Sequence, residues 1–248
     1  MRAIDRVAHT NRWRVVPAAE KALVCALALT VALAAAGWAG LAFVFLLMLG
    51  LLHFGAGVRM GEIARAASGP AGFIALGTLA QMATVDLSRG WPVLGLVDMA
   101  GVQQAAFVAA RSLACVSALL FLALTTPLTS LLQMARRAGL DRDIADIILI
   151  MVRIVWLMLG YMETTQRAQA ARLGNGGWRR TLKAKGQLLA TLLPRVLAQA
   201  DRMSLGLAAR GYTGDLAFLS LEQETSRGRL AALGGAGLVF GLICLRLP

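Results

Sequence analysis

Two stretches of this chain close on the same three residues, Ala170-Ala171-Arg172 and Ala208-Ala209-Arg210, and glycine follows each of them, Gly174 in one case and Gly211 in the other. Both close a long helix-forming stretch. Glycine at such a place stops a helix, and an arginine there complements the negative end of the helix dipole. The small alanines leave the helix tip slim. A slim tip bearing one planar cation can enter a groove on another protein, where guanidinium bonds a carboxylate or carbonyl oxygens in a forked geometry. Taken singly, either arginine reads more readily as an ordinary helix-end residue serving its own dipole. Two of them, 38 positions apart in a basic region, suit a partner that offers two equivalent grooves, such as a dimer of similar ATPase subunits.

Other chemistry is missing. There is no GxxxxGK[ST] phosphate loop, so ATP is not hydrolysed by that route in this chain. Gly174-Asn175-Gly176-Gly177 lacks the lysine and the preceding strand, and reads as a helix-ending turn. His9 and His53 are the only histidines, with no HExxH or paired His/Cys spacing. No metal site, no catalytic residue and no cofactor of its own are therefore expected. Cys25, Cys115 and Cys244 lie far apart in apolar stretches. They read as small buried hydrophobes, not as ligands or a disulfide.

The elements that would hold the two arginines follow from composition. Of 248 residues, 58% are hydrophobic and 15% charged, with a mean hydropathy of +0.68. A soluble domain carries about a quarter charged residues, so this chain cannot cover a globular surface. It reads as all-α, a polytopic helical membrane protein. The net charge of +12 then needs no nucleic acid, because basic residues gather on the cytoplasmic side, beside anionic lipid and acidic partners.

No formal charge falls between Lys21 and Arg59, and Gly37-Trp38-Ala39-Gly40 sits midway. This predicts a hairpin of helices near 20–36 and 40–56. Both of its ends are basic, which places them inside, and the first helix reads as a retained anchor, not a cleaved signal. A third crossing is expected between Arg65 and Asp86, beginning at Gly69-Pro70. An external loop from Asp86 to Asp98 follows, then a return helix near 103–126. Arg111 falls within that return, either snorkelling to the outer interface or pairing structurally.

From Pro127 to Arg229 the chain holds 15 of its 25 basic residues. Its apolar runs are short, and the stretch 144–162 is flanked by Arg136, Arg137 and Arg142 on one side and Arg167, Arg172, Arg179 and Arg180 on the other. A crossing there would put one basic flank outside, so the block is expected to stay inside as amphipathic helices. The last run, residues 230–245, contains Gly237 and Gly241 in GxxxG spacing, which lets helices approach closely. Five crossings are expected, or six if 147–162 spans. The chain thus divides into transmembrane helices over 1–126, a cytoplasmic coupling block over 127–229 and a final crossing over 230–248.

With these residues in view, the sequence resembles the transmembrane T component of energy-coupling factor transporters, closest to the cobalt-type CbiQ family. Members carry two Ala-x-Arg-Gly motifs at the ends of cytoplasmic coupling helices. Here they correspond to Ala170-Ala171-Arg172-Leu173-Gly174 and Ala208-Ala209-Arg210-Gly211-Tyr212, and Thr125-Thr126-Pro127 matches a family pattern at the entrance to the coupling block. The first motif departs from the family in having Leu173 where glycine is usual. The resemblance implies a non-catalytic subunit of the bacterial inner membrane, among lipid. Two ABC-type ATPase subunits, which bind the ATP, would dock on the arginine-bearing helices. A separate membrane subunit would capture substrate, Co²⁺ in the cobalt-type systems. Closure of the ATPases would move the coupling helices.

Three other readings stay open at this level. The cargo could be nickel or biotin, because specificity would lie in the capture subunit. The chain could be an autonomous secondary carrier or a membrane enzyme, with Gln81, Asp86, Gln103, Gln104 and Arg111 as its only intramembrane polar candidates. It could also be a membrane scaffold whose basic block binds anionic lipid, in which case lysine would replace either arginine harmlessly.

Overall fold

The computed structural model describes residues 7–86, 93–96, 98–171, 177–212 and 227–246. It divides into two compact units, Met1–Met134 with Ser220–Pro248, and Ala135–Leu219. Among the described residues it is helical apart from one short hairpin. Trp38–Gly55, Met99–Thr125 and Asp143–Ala171 are each long and apolar enough to cross a membrane.

In the first unit, helix α1 (Ala18–Ala34) and helix α2 (Trp38–Gly50) form the expected hairpin about Gly37. The last turn of α2 widens into a π-turn, Leu51–Gly55. Helix α3 (Met60–Met82) begins nine residues before the glycine-proline pair expected to start it, and it carries Pro70 inside. The proline removes one backbone donor, a loss that membrane helices absorb through neighbouring groups. Just ahead of the proline, Ser68 Oγ adds a side-chain bond to the Arg65 carbonyl at 2.8 Å. A two-stranded antiparallel ribbon, β1 (Ala83–Asp86) with β2 (Val93–Leu96), in register Ala83 to Leu96, begins three residues before the expected external loop and takes the end of the expected third crossing out of the helix. Helix α4 (Met99–Thr125) returns, its first turn capped by Asp98, which accepts from the Met99 amide at 2.8 Å.

Cross-contacts fix the directions. Lys21 meets Thr125, Cys25 meets Ala118 and Ala35 meets Arg111, so α1 and α4 run antiparallel. Helix α8 (Arg227–Arg246) lies on α1. Arg229 stands 3.5 Å from Glu20, a Cβ at Gly237 would overlap the Leu27 side chain, and one at Gly241 would come 3.3 Å from Val31. Both series ascend together, so α8 runs parallel to α1. That is the sense required if the first and last crossings both leave the inner face. The GxxxG glycines are the residues that let the two backbones approach.

Arg111 sits at the far end of this bundle. Its Nη2 donates to the Ala35 carbonyl at 2.9 Å, at the C-terminal cap of α1, and its guanidinium lies 4.8 Å over the Phe107 ring. Phe107 in turn meets Trp38 edge-on at 5.5 Å. The partner answers the pairing expectation for this residue: its guanidinium caps the dipole of α1. The core between α1, α2 and α4 is apolar and closely packed, with Val44, Ala114, Ala118 and Phe121 fully buried.

Helix α5 (Leu128–Arg137) leads out of the first unit. The second unit is built on two long helices, α6 (Arg142–Ala171) and α7 (Trp178–Ala208). Gln169 Nε2 donates to the Ala184 carbonyl at 3.3 Å, and Arg195 lies 5.2 Å over the Tyr161 ring. These pairs make α6 and α7 an antiparallel arm. Asp141 caps α6 through the Asp143 amide at 2.9 Å, and Arg136 pairs with the buried Asp146 at 3.4 Å.

Helix α6 meets the length and composition of a crossing, yet it carries an exposed Arg153 and the Glu163–Arg167 pair, and both of its flanks are basic. Trp178, 78% exposed at the start of α7, decides between five crossings and six. In a background without Cys25, Cys115 and Cys244, a Trp178→Cys variant is expected to react with a membrane-impermeant maleimide only after cells are permeabilised. Labelling in intact cells would put α6 across the bilayer.

Candidate functional site

The expected site consists of two helix ends. Helix α6 is described as far as Ala171. Arg172 and Gly174 lie outside the described residues, and Ala170 and Ala171 before them are exposed.

The second tip is described in full. Helix α7 closes at Ala208, with Ala209 and Arg210 continuing as a turn. The Gly211 amide donates to the Ala208 carbonyl at 3.0 Å and the Tyr212 amide to the Leu207 carbonyl at 3.1 Å. This pair of bonds is a Schellman closure, which requires a left-handed residue between them. Gly211 supplies it at φ 69°. Any side chain at 211 would strain that conformation, so the glycine fixes the place from which Arg210 projects. Ala208, Ala209 and Arg210 are all exposed. The tip is slim and cationic, and its closing bonds use main-chain groups alone. The guanidinium is thus free of any duty in closing its own helix.

Two further features of the arm bear on partners. Between Trp178 and Ala200, α7 holds five cations and no acid. Along one side, Trp178, Leu182, Leu189, Leu193 and Leu197 are exposed, spaced in steps that keep them on a single stripe. Helix α6 exposes Ile147, Met151 and Val155 in the same way. An apolar stripe of this length marks a protein or membrane contact.

The entrance residues occupy a different environment. Thr125 and Thr126 are buried, and the Thr125 hydroxyl donates to the Phe121 carbonyl at 2.6 Å. Thr126 is extended, at φ −123° and ψ 115°. The Pro127 carbonyl accepts from the amides of Ser130 and Leu131 as α5 begins. The break between α4 and α5 is one buried extended residue followed by a proline, a residue suited to starting a helix. Reading the sequence alone misses what holds this break. The side chains involved, Asn11 and Lys21, which donate to the Leu124 and Thr125 carbonyls, look like ordinary polar flank residues. The one available signal is Lys21 in the first turn of α1, where the helix dipole disfavours a cation. Among the described residues no group of histidine, cysteine and carboxylate side chains is disposed to hold a metal ion.

Fold and site together define a multi-pass membrane protein, helical but for one short ribbon among the described residues, with a pair of long antiparallel helices of which one ends in a cationic tip. A family model described as cobalt transport protein, CbiQ, matches residues 10–219. The cobalt transport protein CbiQ of Rhodobacter capsulatus is 34% identical over 97% of this chain and 98% of its own length. The CbiQ of Salmonella typhimurium is 26% identical over 87% of this chain and 99% of its own. A putative fused cobalt transport protein, CbiMQ, of Methanocorpusculum labreanum is 27% identical over 61% of this chain, a match that spans 25% of the fused protein. The chain belongs to the CbiQ family of cobalt transport proteins.

Proposed function

We propose that this chain is the transmembrane coupling component of an ATP-driven energy-coupling factor importer for cobalt, and that it is itself non-catalytic. The observation that carries the reading is the tip of α7, where Arg210 projects, exposed, from a Schellman-closed helix end. Two ATP-binding-cassette subunits would each receive one arginine, Arg172 or Arg210, with Ala171, Gly174, Ala209 and Gly211 shaping the tips. Closure of the two ATPases on ATP would displace the arm of α6 and α7. That displacement would enter the bundle through Thr125-Thr126-Pro127 and reorient a separate membrane subunit that captures Co²⁺. The fused relative supports such a division of labour, because the match to 61% of this chain there covers only a quarter of a longer cobalt transport polypeptide.

Mild-detergent purification through a tag on this chain tests the reading. Two copies of an ATPase and at least one further membrane protein are expected to travel with it, and ATP hydrolysis should appear in the purified assembly. A chain that purifies alone from cells expressing the whole transport system, or that takes up Co²⁺ alone in proteoliposomes, would refute it.

A further inference from the structure

The inner end of α4 is held by a segment more than a hundred residues away in sequence. A helix leaves its last four carbonyls without intrahelical partners. In α4, Asn11 Nδ2 donates to the carbonyl of Leu124 at 3.0 Å and, more weakly, to that of Thr125 at 3.3 Å. The same amide serves the Val7 and Ala8 carbonyls at 3.2 and 2.8 Å. Lys21 Nζ donates to the Thr125 carbonyl at 3.0 Å and to the Trp13 carbonyl at 3.2 Å. Lys21 is only 1% exposed. Burying an ammonium group is unfavourable unless its donors are used, and in the first turn of α1 it also opposes its own helix dipole. The negative end of α4 offers it a favourable interaction.

The intervening residues lace the same end to α2. The Arg12 amide donates to the Ala56 carbonyl at 3.1 Å. The Trp13 ring lies so close to Gly55 that a Cβ there would come within 2.5 Å of it, and it meets Phe121 of α4 edge-on at 5.9 Å. Thus residues 11–21 bind the π-turn of α2 and the last turn of α4 into one body, directly before the extended Thr126 and Pro127.

We propose that Lys21, together with Asn11, is a positioning residue that pins the inner end of α4, so that motion of the coupling block is delivered to the bundle at Thr126–Pro127 and is not dissipated by unwinding of the last turn of α4. This rests on the coupling role proposed above. A helix end that frays under load would let the ATPases cycle without moving the membrane helices. Lys21 therefore governs how much transport each ATP yields, not how fast ATP is hydrolysed.

The test uses the complete transporter, with its ATPases and capture subunit, in proteoliposomes loaded for Co²⁺ uptake. Loss of the charged donor opens the last turn of α4 roughly tenfold to a hundredfold more often. Lys21→Met is expected to keep its ATPases and hydrolyse ATP within about twofold of wild type, while Co²⁺ imported per ATP falls about tenfold. Lys21→Arg, which keeps the charge and the donors, should recover most of the ratio. An unchanged ratio in Lys21→Met would overturn the proposal. If Lys21→Met does not assemble, hydrogen exchange in the wild-type complex decides. The Thr125 and Thr126 amides should stay protected with and without a non-hydrolysable ATP analogue, and deprotection on adding the analogue would overturn the pinning. Absence of ATPases from the wild-type preparation would instead remove the coupling role itself, so the two failures are distinguishable.

Discussion

Changing Arg210 to alanine in the assembled transporter is expected to weaken attachment of one ATPase by about tenfold to a hundredfold, the scale of a lost charge-assisted hydrogen bond at an interface. The effect follows from the geometry of the tip. The helix is already closed by the Gly211 and Tyr212 amides, so removing the guanidinium leaves α7 folded and deletes only what it offers to a partner. Lysine at 210 should fail nearly as badly, because a point charge cannot reproduce the planar fork. The same substitutions at Arg172 should weaken the other ATPase, and Arg172→Ala with Arg210→Ala should leave the membrane part without either. Quantifying ATPase recovered with tagged variants, alongside Co²⁺ uptake by the cells, checks the series. Wild-type ATPase recovery with the double variant would sink the coupling reading. Full activity of both lysine variants would favour a basic surface for anionic lipid instead.

The parts of the molecule that could be read from sequence are those where one local signal dominates. The uncharged run between Lys21 and Arg59 with its central glycines marks the α1–α2 hairpin, and Gly211 marks the end of α7. The start of α3 at Met60 is not marked, because Pro70 predicts a helix beginning where the structure carries one through. In a membrane the proline's missing donor is a tolerable loss, and the local rule yields to the continuity of the span. The π-turn at Leu51–Gly55 and the ribbon of β1 and β2 are likewise silent. The first brings Gly55 against the Trp13 ring, and the second depends on the pairing of Ala83–Asp86 with Val93–Leu96. Arg111 is half legible: the cost of a buried cation announces that it needs a partner, but no sequence pattern names the Ala35 carbonyl. The pinning of α4 by Asn11 and Lys21 is the least legible of all. It joins residues 104 and 113 positions apart, and a lysine beside a membrane helix looks like any other inward-facing charge until its acceptor is seen.

The same dependence on distant contacts makes Gly237 and Gly241 of the final helix sensitive to the size of a replacement. Two helices in lipid gain little from burying apolar surface against each other, so their association relies on close packing. At Gly237 the neighbouring atoms belong to the end of the flexible Leu27 side chain, whereas at Gly241 the neighbour is a methyl of Val31, which β-branching holds stiffly. Gly237→Ala is therefore expected to be mild, since Leu27 can swing aside. Gly241→Ala should be mild to moderate, since its neighbour must yield by only a few tenths of an ångström. Gly237→Leu has no such escape. Overpacking of this kind costs about 1–3 kcal/mol, and in a chain of this length each kcal/mol lowers the unfolding midpoint by about 2–4 °C. A drop of roughly 2–12 °C in detergent is thus expected for Gly237→Leu. Leu27→Ala should reverse part of it, because the smaller residue on α1 makes room for the larger one on α8. Losses that simply add in the double variant would show that α8 does not pack on α1 through this glycine. The parallel arrangement of the first and last crossings would then lose its main support.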